Sequence, residues 1–256
     1  MLLIFLAGML PAALLVYHIY RADFIQPEPV EQLRRAVIYG IGSIFVSLLF
    51  STPFGAMGLF SQDYSTMSGA FRLAFWGAGL PEELAKLIML YLVVRRNPYF
   101  DEKMDGIVYA VCVSMGFAGF ENIAYIEGAG AGWFGVSVSR ALLAVPGHYY
   151  NGVFMGYFFA KFWFESDNKL RNLFWTLAAP VITHTLYDFI LMYMNVESSY
   201  VISTLLFVFL IYFCFQMLQW SRRRINQHLD EDTRNPDGYQ KSERSAHSYY
   251  DKSDRI

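Results

Sequence analysis

The sequence predicts an all-α fold, a polytopic bundle of about seven transmembrane helices with a disordered cytoplasmic tail. Hydrophobic residues make up 55% of the 256-residue chain, and aromatic residues alone make up 18%. Charged residues account for 16%, well below the roughly 25% that is usual in soluble domains. The apolar residues form long stretches, each close to the roughly 20 residues with which a helix crosses a bilayer. Together these observations favour a membrane-embedded bundle over a soluble domain.

The long apolar stretches define seven candidate spans. Their ranges are about 1–20, 35–58, 70–94, 105–126, 138–163, 170–194 and 199–220. No Lys or Arg precedes the first stretch, and no clear small-residue cleavage site closes it. We therefore expect a retained membrane anchor here rather than a cleaved signal peptide.

Basic residues alternate between the connections that join these spans. Lys and Arg gather in the first, third and fifth connections and after the last span, whereas the intervening connections hold few. Because connections rich in Lys and Arg stay in the cytoplasm, this alternation predicts an N-terminus outside and a C-terminus inside. A miscounted helix would break the alternation, so the charge pattern supports seven spans.

The composition changes after the last span. From about Asn226 the chain is polar, of mixed charge and without apolar periodicity, which is typical of a disordered segment. We therefore divide the chain into a membrane domain, residues 1–220, and a polar cytoplasmic tail, residues 221–256. His228 and His247 lie in this tail, and we expect both to be solvated.

Ionisable residues interrupt four successive spans, where each costs about 2.5–3.5 kcal/mol on insertion. They are Glu82, Glu83 and Lys86 in the third span, Glu121 in the fourth, His148 in the fifth, and His184 and Asp188 in the sixth. At about 1.5 Å of rise per residue, these positions lie at similar depths between the bilayer midplane and the outer leaflet. We therefore expect them to share one water-accessible cavity.

Helical spacing predicts which of these groups meet within one helix. Lys86 follows Glu83 by three residues and Glu82 by four, so its ammonium group can pair with either carboxylate. Asp188 follows His184 by four residues, so its carboxylate can fix the tautomer of the imidazole. Successive helical residues point about 100° apart, so one glutamate should face the cavity more directly. We expect it to be Glu83.

The residues alone leave several interpretations open. Carboxylates and imidazoles at one depth suit either a metal site, with zinc favoured among the common metals, or metal-free acid–base chemistry. They also suit a proton or ion relay in a transporter. A third alternative is a non-catalytic scaffold, in which ion pairs and hydrogen bonds between polar side chains only hold the helices together.

Four motifs resemble the PrsW family of bacterial intramembrane proteases, which are relatives of the type II CAAX prenyl endopeptidases. These motifs are LPEELAKL, MDGIVYAVCVSMGFAGFENIAYI, PGHYYNGVFMGYFFAKF and THTLYDFI. They follow the family's order: a Glu-Glu pair with a lysine, a Phe-x-x-x-Glu, a histidine and a second histidine. The resemblance covers roughly residues 1–195. The prenyl endopeptidases carry arginine and histidine where this chain has Lys86 and Glu121.

The resemblance implies hydrolysis of a peptide bond within or beside the membrane. The family is known for cutting membrane-anchored anti-sigma factors at their extracytoplasmic side. For this chain it implies a single-pass membrane protein as substrate, in the bacterial cytoplasmic membrane, with the lipid bilayer as surroundings. We expect no nucleic-acid partner, and the sequence leaves the oligomeric state open.

The family's description as metallopeptidases implies a metal-assisted mechanism. His148, His184 and Glu121 would bind Zn²⁺, which would hold the attacking water at its open position. In a metal-free version, a glutamate activates the water directly and the histidines stabilise the oxyanion. The sequence does not separate these two versions.

The remaining polar residues have supporting roles in this mechanism. Glu83 would be the general base and Glu82 its proton-sharing neighbour, since adjacent carboxylates resist simultaneous ionisation. Lys86 would favour the charged form of the pair. The other assignments are Asp188 as the residue that orients His184, and Asn122 or Asn151 as the donor to the oxyanion.

Overall fold

The computed structural model describes residues 2–235, and all regular secondary structure in that range is helical. The α-helices are Leu2–Ala22 (α1), Val30–Ala56 (α2), Met67–Arg72 (α3), Leu80–Val94 (α4), Lys103–Gly128 (α5), Trp133–Ser139 (α6), Val145–Phe164 (α7), Lys169–Val196 (α8) and Tyr200–Thr233 (α9). The predicted all-α fold class is confirmed.

The seven predicted spans each coincide with one helical stretch. Helices α1, α2, α5, α8 and α9 are individually long and apolar enough to cross a membrane. The other two spans are composite. A π-helical segment, Leu73–Gly79, joins α3 to α4, and a second one, Arg140–Ala144, joins α6 to α7.

Proline explains where both π-helical segments lie. Pro81 and Pro146 are the second residues of α4 and α7, directly after the π-helical turns. A proline inside a continuous helix removes a hydrogen bond, and its ring collides with a carbonyl of the preceding turn. A wider turn relieves that collision, and such turns are frequent at functional sites. Here each one immediately precedes a helix that carries predicted site residues.

Helix α5 lies at the centre of the bundle. Most of its residues are buried, and α1, α2 and α7 pack against it. A Cβ atom on Gly40 of α2 would lie 2.0 Å from the Val113 carbonyl oxygen, and one on Gly116 of α5 would lie 2.1 Å from that of Val37. Such close backbone contact requires glycine, which is the usual solution between helices in membranes. This packing holds Glu121 at a fixed position inside the bundle.

Helix α9 extends beyond the predicted end of the membrane domain. It continues to Thr233, whereas the sequence predicts disorder from about Asn226. His228, which we expected to be solvated, is fully buried, and its Nε2 lies 3.2 Å from the Tyr157 carbonyl oxygen. The prediction of disorder was wrong for residues 226–233, because polar side chains there bond to distant parts of the chain. His247 lies outside the described residues.

The end of α9 is attached to the start of α5. The Asp232 carboxylate accepts hydrogen bonds from the backbone N–H groups of Lys103, at 3.1 Å, and Met104, at 2.8 Å. The first N–H groups of a helix have no partner within the helix, so Asp232 supplies a cap from elsewhere in the sequence. The last turns of α9 are therefore part of the bundle.

Candidate active site

A cavity of about 280 Å³ lies among helices α4, α5, α7, α8 and α9 and the second π-helical segment. All four predicted spans contribute polar residues to its wall. These residues are Glu82, Glu121, Arg140, His148, Asn151, His184 and Asp188. Of the ionisable residues predicted to share one cavity, Glu82, Glu121, His148, His184 and Asp188 line it, whereas Glu83 and Lys86 do not.

The two adjacent glutamates of α4 lie in different surroundings. Glu82 lines the cavity, and its Oε2 lies 3.7 Å from His184 Nε2. Glu83 is 0% exposed and is not part of the cavity wall; its Oε1 lies 2.8 Å from both Lys86 Nζ and His184 Nδ1. This differs from the expectation that Glu83 faces inward. The rotation of α4 in the bundle, which helical spacing does not fix, turns Glu82 to the cavity.

Lys86 connects α4 to α5 and α7 from a buried position. Its Nζ lies 2.8 Å from Glu83 Oε1, 3.5 Å from Glu82 Oε2 and 3.2 Å from His148 Nδ1. The same ammonium group lies 4.0 Å from the centre of the Phe117 ring, within cation–π distance. The lysine is therefore the positive centre of the site, as its spacing to the glutamates predicts.

The contacts of His148 define which ring nitrogen carries its proton. An ammonium group can only donate, so Nδ1 of His148 must accept from Lys86. The proton of the neutral imidazole is then on Nε2, which lies 3.1 Å from Glu121 Oε2 and donates to it. In this arrangement His148 links Lys86 to Glu121.

His184 is oriented by two carboxylates from different helices. Its Nδ1 donates to Glu83 at 2.8 Å, and its Nε2 lies 3.3 Å from Asp188 Oδ2. Asp188 therefore contacts His184, as the spacing predicts, but Glu83 makes the shorter contact. A histidine held this way through Nδ1 presents Nε2 to the cavity in a fixed direction.

Arg140 is a site residue that the sequence analysis missed. Its Nη2 lies 2.6 Å from Glu121 Oε2, and its Nε donates to Asn122 Oδ1 at 2.7 Å. The guanidinium carbon also lies 3.9 Å from the centre of the Tyr125 ring. Arg140 lies near the start of the predicted span 138–163. An arginine within a membrane span is costly unless it pairs with a carboxylate, and this cost could have identified Arg140 from the sequence.

The two asparagines differ in their availability to a substrate. Asn122 is buried outside the cavity wall, and its amide donates to the Gly8 carbonyl oxygen at 3.3 Å. Asn151 lines the cavity, and its Oδ1 accepts from the Thr183 hydroxyl at 2.7 Å. The sequence did not reveal this contact. Because Oδ1 of Asn151 accepts from Thr183, the amide N–H₂ is the polar group of Asn151 that is left to contact a substrate. Of the two predicted oxyanion donors, the geometry therefore favours Asn151.

Three side chains have the spacing of a metal site. Potential ligand atoms of Glu82, His148 and His184 all lie within 4.8 Å of one another, and among residues 2–235 no other three His, Cys, Asp or Glu residues do so. Glu82 Oε2 is buried without a hydrogen-bond donor from the described residues. Two imidazoles and a carboxylate are a ligand set of catalytic zinc sites. The residues therefore fit a metal, although the predicted ligand Glu121 is paired with Arg140 here.

Comparison with known proteins identifies the family. Residues 28–215 match the family described as PrsW family intramembrane metalloprotease. The chain is 32% identical over 203 residues to the protein named Protease PrsW of Bacillus subtilis (strain 168), covering 79% of this chain and 88% of that protein. The chain belongs to the PrsW family.

Further relatives carry the same name. Over 186 residues the chain is 31% identical to Protease PrsW of Geobacillus kaustophilus (strain HTA426), covering 73% of this chain and 78% of the relative. Over 192 residues it is 31% identical to Protease PrsW of Clostridioides difficile (strain 630), covering 74% and 79%. No solved structure matches the chain. Every residue of the cavity wall except Met217 of α9 lies within the range that matches the PrsW family.

Proposed function

We propose that this chain cuts a single-pass membrane protein near its extracytoplasmic boundary, and that the substrate is an anti-sigma factor. One observation supports this most: acids and imidazoles from four helices line a single cavity inside a membrane-spanning bundle. Hydrolysis of an amide requires an activated water, a donor to the oxyanion and a proton for the leaving amine. The cavity has side chains suited to each of these tasks.

The depth of the cavity supports the proposed position of the cut. Glu121 lies about 27 Å from the start of α5 and about 10 Å from its end. By the distribution of basic residues, the end of α5 is extracytoplasmic. A substrate helix must unwind before its internally bonded amides can be attacked, and its frayed end needs less unwinding. A site at this depth therefore favours a bond near the outer end of the substrate's span.

We assign the attacking water to Glu82. Among the site's glutamates, it combines exposure to the cavity with a buried oxygen that has no donor among the described residues. Its carboxylate can take the proton of the water and return it to the leaving amine. Asn151 donates to the oxyanion, while Arg140 holds Glu121 at the cavity wall.

The same residues would hold a zinc ion. In that version Glu82, His148 and His184 are the proposed ligands in place of the set with Glu121, and Glu82 acts as the base only in the metal-free version. When bound, zinc would acidify the water and polarise the scissile carbonyl. A metal bound at Nε2 of His148 leaves the ring proton on Nδ1, opposite Lys86, so the contact of Lys86 with that ring would have to change. In the metal-free version, the Lys86–His148–Glu121 hydrogen bonds stay as they are.

The proposal is tested by cleavage in proteoliposomes that contain the full chain and a tagged single-pass candidate substrate. Glu82→Gln and His184→Ala should abolish cleavage, whereas Glu127→Gln, a change at an exposed acid of α5, should leave it intact. The termini of the products should map near the outer boundary of the substrate's span. A cut at the cytoplasmic boundary, or full activity of both folded variants, contradicts the proposal.

Metal content separates the two versions of the chemistry. If Glu82 is a ligand, purified Glu82→Gln should hold less zinc than the wild type, and Glu121→Gln should hold an equal amount. If Glu121 is a ligand, this order is reversed. Full activity of protein that is free of metal excludes a zinc mechanism with either set of ligands. Proton-coupled flux without cleavage of any substrate would favour the transporter alternative.

A further inference from the structure

A second group of acids lies at the opposite end of the bundle from the active-site cavity. It combines residues from the α1–α2 connection, the α4–α5 connection, the start of α5 and the end of α9. We name it the acidic cluster; it consists of Asp23, Glu28, Asp101, Glu102, Asp105 and Asp232. Asp105 precedes Glu121 on α5 by about 24 Å, so the two groups do not touch.

Glu28, Asp105 and Asp232 each accept hydrogen bonds at their carboxylates. Glu28 accepts from the Tyr109 hydroxyl. Asp105 Oδ2 accepts from the backbone N–H groups of Asp101, at 2.8 Å, and Glu102, at 2.7 Å. Asp232 caps the first N–H groups of α5, as described above. These contacts explain why Glu28, Asp105 and Asp232 are buried.

Asp23 and Glu102 are different, although Glu102 Oε1 accepts a hydrogen bond from Gln26 Nε2 at 2.6 Å. Each is 1% exposed. Neither carboxylate oxygen of Asp23 has a hydrogen-bond partner among the described residues, and Glu102 Oε2 has none either. The charged neighbours of the Asp23 carboxylate are Glu102, Glu28 and Asp232, so it faces the cluster. A buried polar group without a partner is costly, and other carboxylates cannot donate to it unless protonated.

The positive residues near the acidic cluster have other acids to neutralise. Lys103 Nζ lies 2.7 Å from Glu165 Oε1 and 2.8 Å from Glu231 Oε2, both outside the cluster. His228, which faces Asp232, also lies 3.5 Å from Glu231. Lys103 therefore divides its positive charge between acids outside the cluster and Asp232 within it.

The pKa values of three carboxylates in the cluster are raised. Burial, with the neighbouring charges of Glu102 and Glu28, raises the pKa of Asp23 to about 7. Burial is also the main cause that raises the pKa of Glu28 and that of Glu102, each to about 7. Below neutral pH protons can neutralise these groups. Above it these groups are charged, and a cation can neutralise them instead of protons.

We propose that the acidic cluster binds Mg²⁺ between Asp23 and Glu102. Both carboxylates offer buried oxygens without partners, and the surrounding acids attract a divalent cation. The cluster lacks three ligand atoms as close together as those of the cavity, which argues against a fully dehydrated ion. Mg²⁺ commonly keeps several waters and uses one or two carboxylates, so it suits this wider spacing. Binding would join the α1–α2 connection to the start of α5.

Thermal unfolding of the purified full chain tests this site without any protease substrate. After chelation, MgCl₂ at pH 8 should raise the unfolding midpoint by roughly 5 °C relative to NaCl of equal ionic strength. At pH 5 the rise should be much smaller, because protons then occupy the carboxylates. Without Mg²⁺, the midpoint should fall as the pH increases from about 4 to about 7. The sign follows because the raised pKa values mean that the folded chain binds more protons in that range.

Two variants assign the response to the cluster. Asp23→Asn should lose the Mg²⁺ response at pH 8 and should unfold at a higher temperature than the wild type in chelator, since one buried charge is removed. Glu31→Gln, a change at an exposed acid paired with Arg34, should respond like the wild type. Glu102→Gln serves as a second test if Asp23→Asn does not fold.

The proposal is overturned if Mg²⁺ shifts the wild type no more than NaCl does, or if both folded cluster variants keep the full shift. Loss of proteolysis has no bearing on this outcome, because unfolding is measured without substrate.

Discussion

Helix α5 passes through two acidic regions that compensate their charge in opposite ways. At the cavity, Glu83 pairs with Lys86 at 2.8 Å and Glu121 pairs with Arg140 at 2.6 Å. At the other end, neither oxygen of Asp23 has a partner among the described residues. Inside the hydrocarbon region an unpaired charge is costly, so basic side chains of the bundle itself pair with these acids. Near the water–membrane boundary, protons and dissolved cations can neutralise the acids.

Because of this difference, the two regions contribute differently to the stability of the fold. Breaking a fully buried ion pair by removing one partner costs about 3–5 kcal/mol, because the other charge remains. Removing a carboxylate that has no hydrogen-bond donor and faces other acids, such as Asp23, relieves repulsion instead. We therefore expect single substitutions at the cavity to destabilise the bundle and charge-removing substitutions at Asp23 to stabilise it in the absence of Mg²⁺.

The largest effect should distinguish the two glutamates of α4. Glu82→Gln removes the carboxylate that we assign to the water, so we expect cleavage to fall by roughly 10²–10⁴-fold, the usual contribution of a general base. Glu83→Gln keeps an acceptor for His184 but removes the charge next to Lys86. It should lower activity less and stability more.

Initial cleavage rates in proteoliposomes and unfolding midpoints measure these two effects. Gln rather than Ala keeps the size of the side chain, so that packing is retained in both variants. If Glu83→Gln loses more activity than Glu82→Gln while both remain folded, then the sequence-based choice of Glu83 as the base is the better one.

A smaller effect should come from the Arg140–Glu121 pair. Arg140→Met leaves Glu121 without its guanidinium partner. We expect the free energy of unfolding to fall by about 2–3 kcal/mol, less than for a fully buried pair. The double variant with Glu121→Gln should be more stable than Arg140→Met alone, because it also removes the orphaned charge. Denaturation of the four proteins of this cycle gives the coupling energy. Additive effects would show that the two residues do not stabilise each other.

Much of the cavity was predictable because ionisable residues stand out in apolar spans. His184 and Asp188 needed only helical spacing, and the four motifs needed only their order along the chain. The sequence could not predict that Glu82 faces the cavity, because this depends on how α4 is rotated against its neighbours. Arg140 and Thr183 were missed because an arginine at the edge of a span and a threonine within one are ordinary.

The end of α9 was harder to predict for a related reason. Its polar residues have partners far away in the sequence: His228 contacts Tyr157, and Asp232 contacts the start of α5. Amino-acid composition shows that these residues are polar, and disordered segments are polar too. It does not show that the residues have partners elsewhere in the fold. The predicted tail therefore began too early for the residues that the structure describes.

The smallest expected effect tests whether α9 stabilises α5 from outside the sequence neighbourhood. Asp232→Ala removes the acceptor for the backbone N–H groups of Lys103 and Met104, and loss of such a cap costs about 1 kcal/mol. Asp230→Ala, on the same helix but exposed, is the matched control and should be neutral. Hydrogen exchange at the first turn of α5 is the local measurement. Faster exchange there in Asp232→Ala, with unchanged exchange around Glu121, would show that the two ends of α5 respond separately. Equal exchange in both variants would mean that the cap adds nothing to α5.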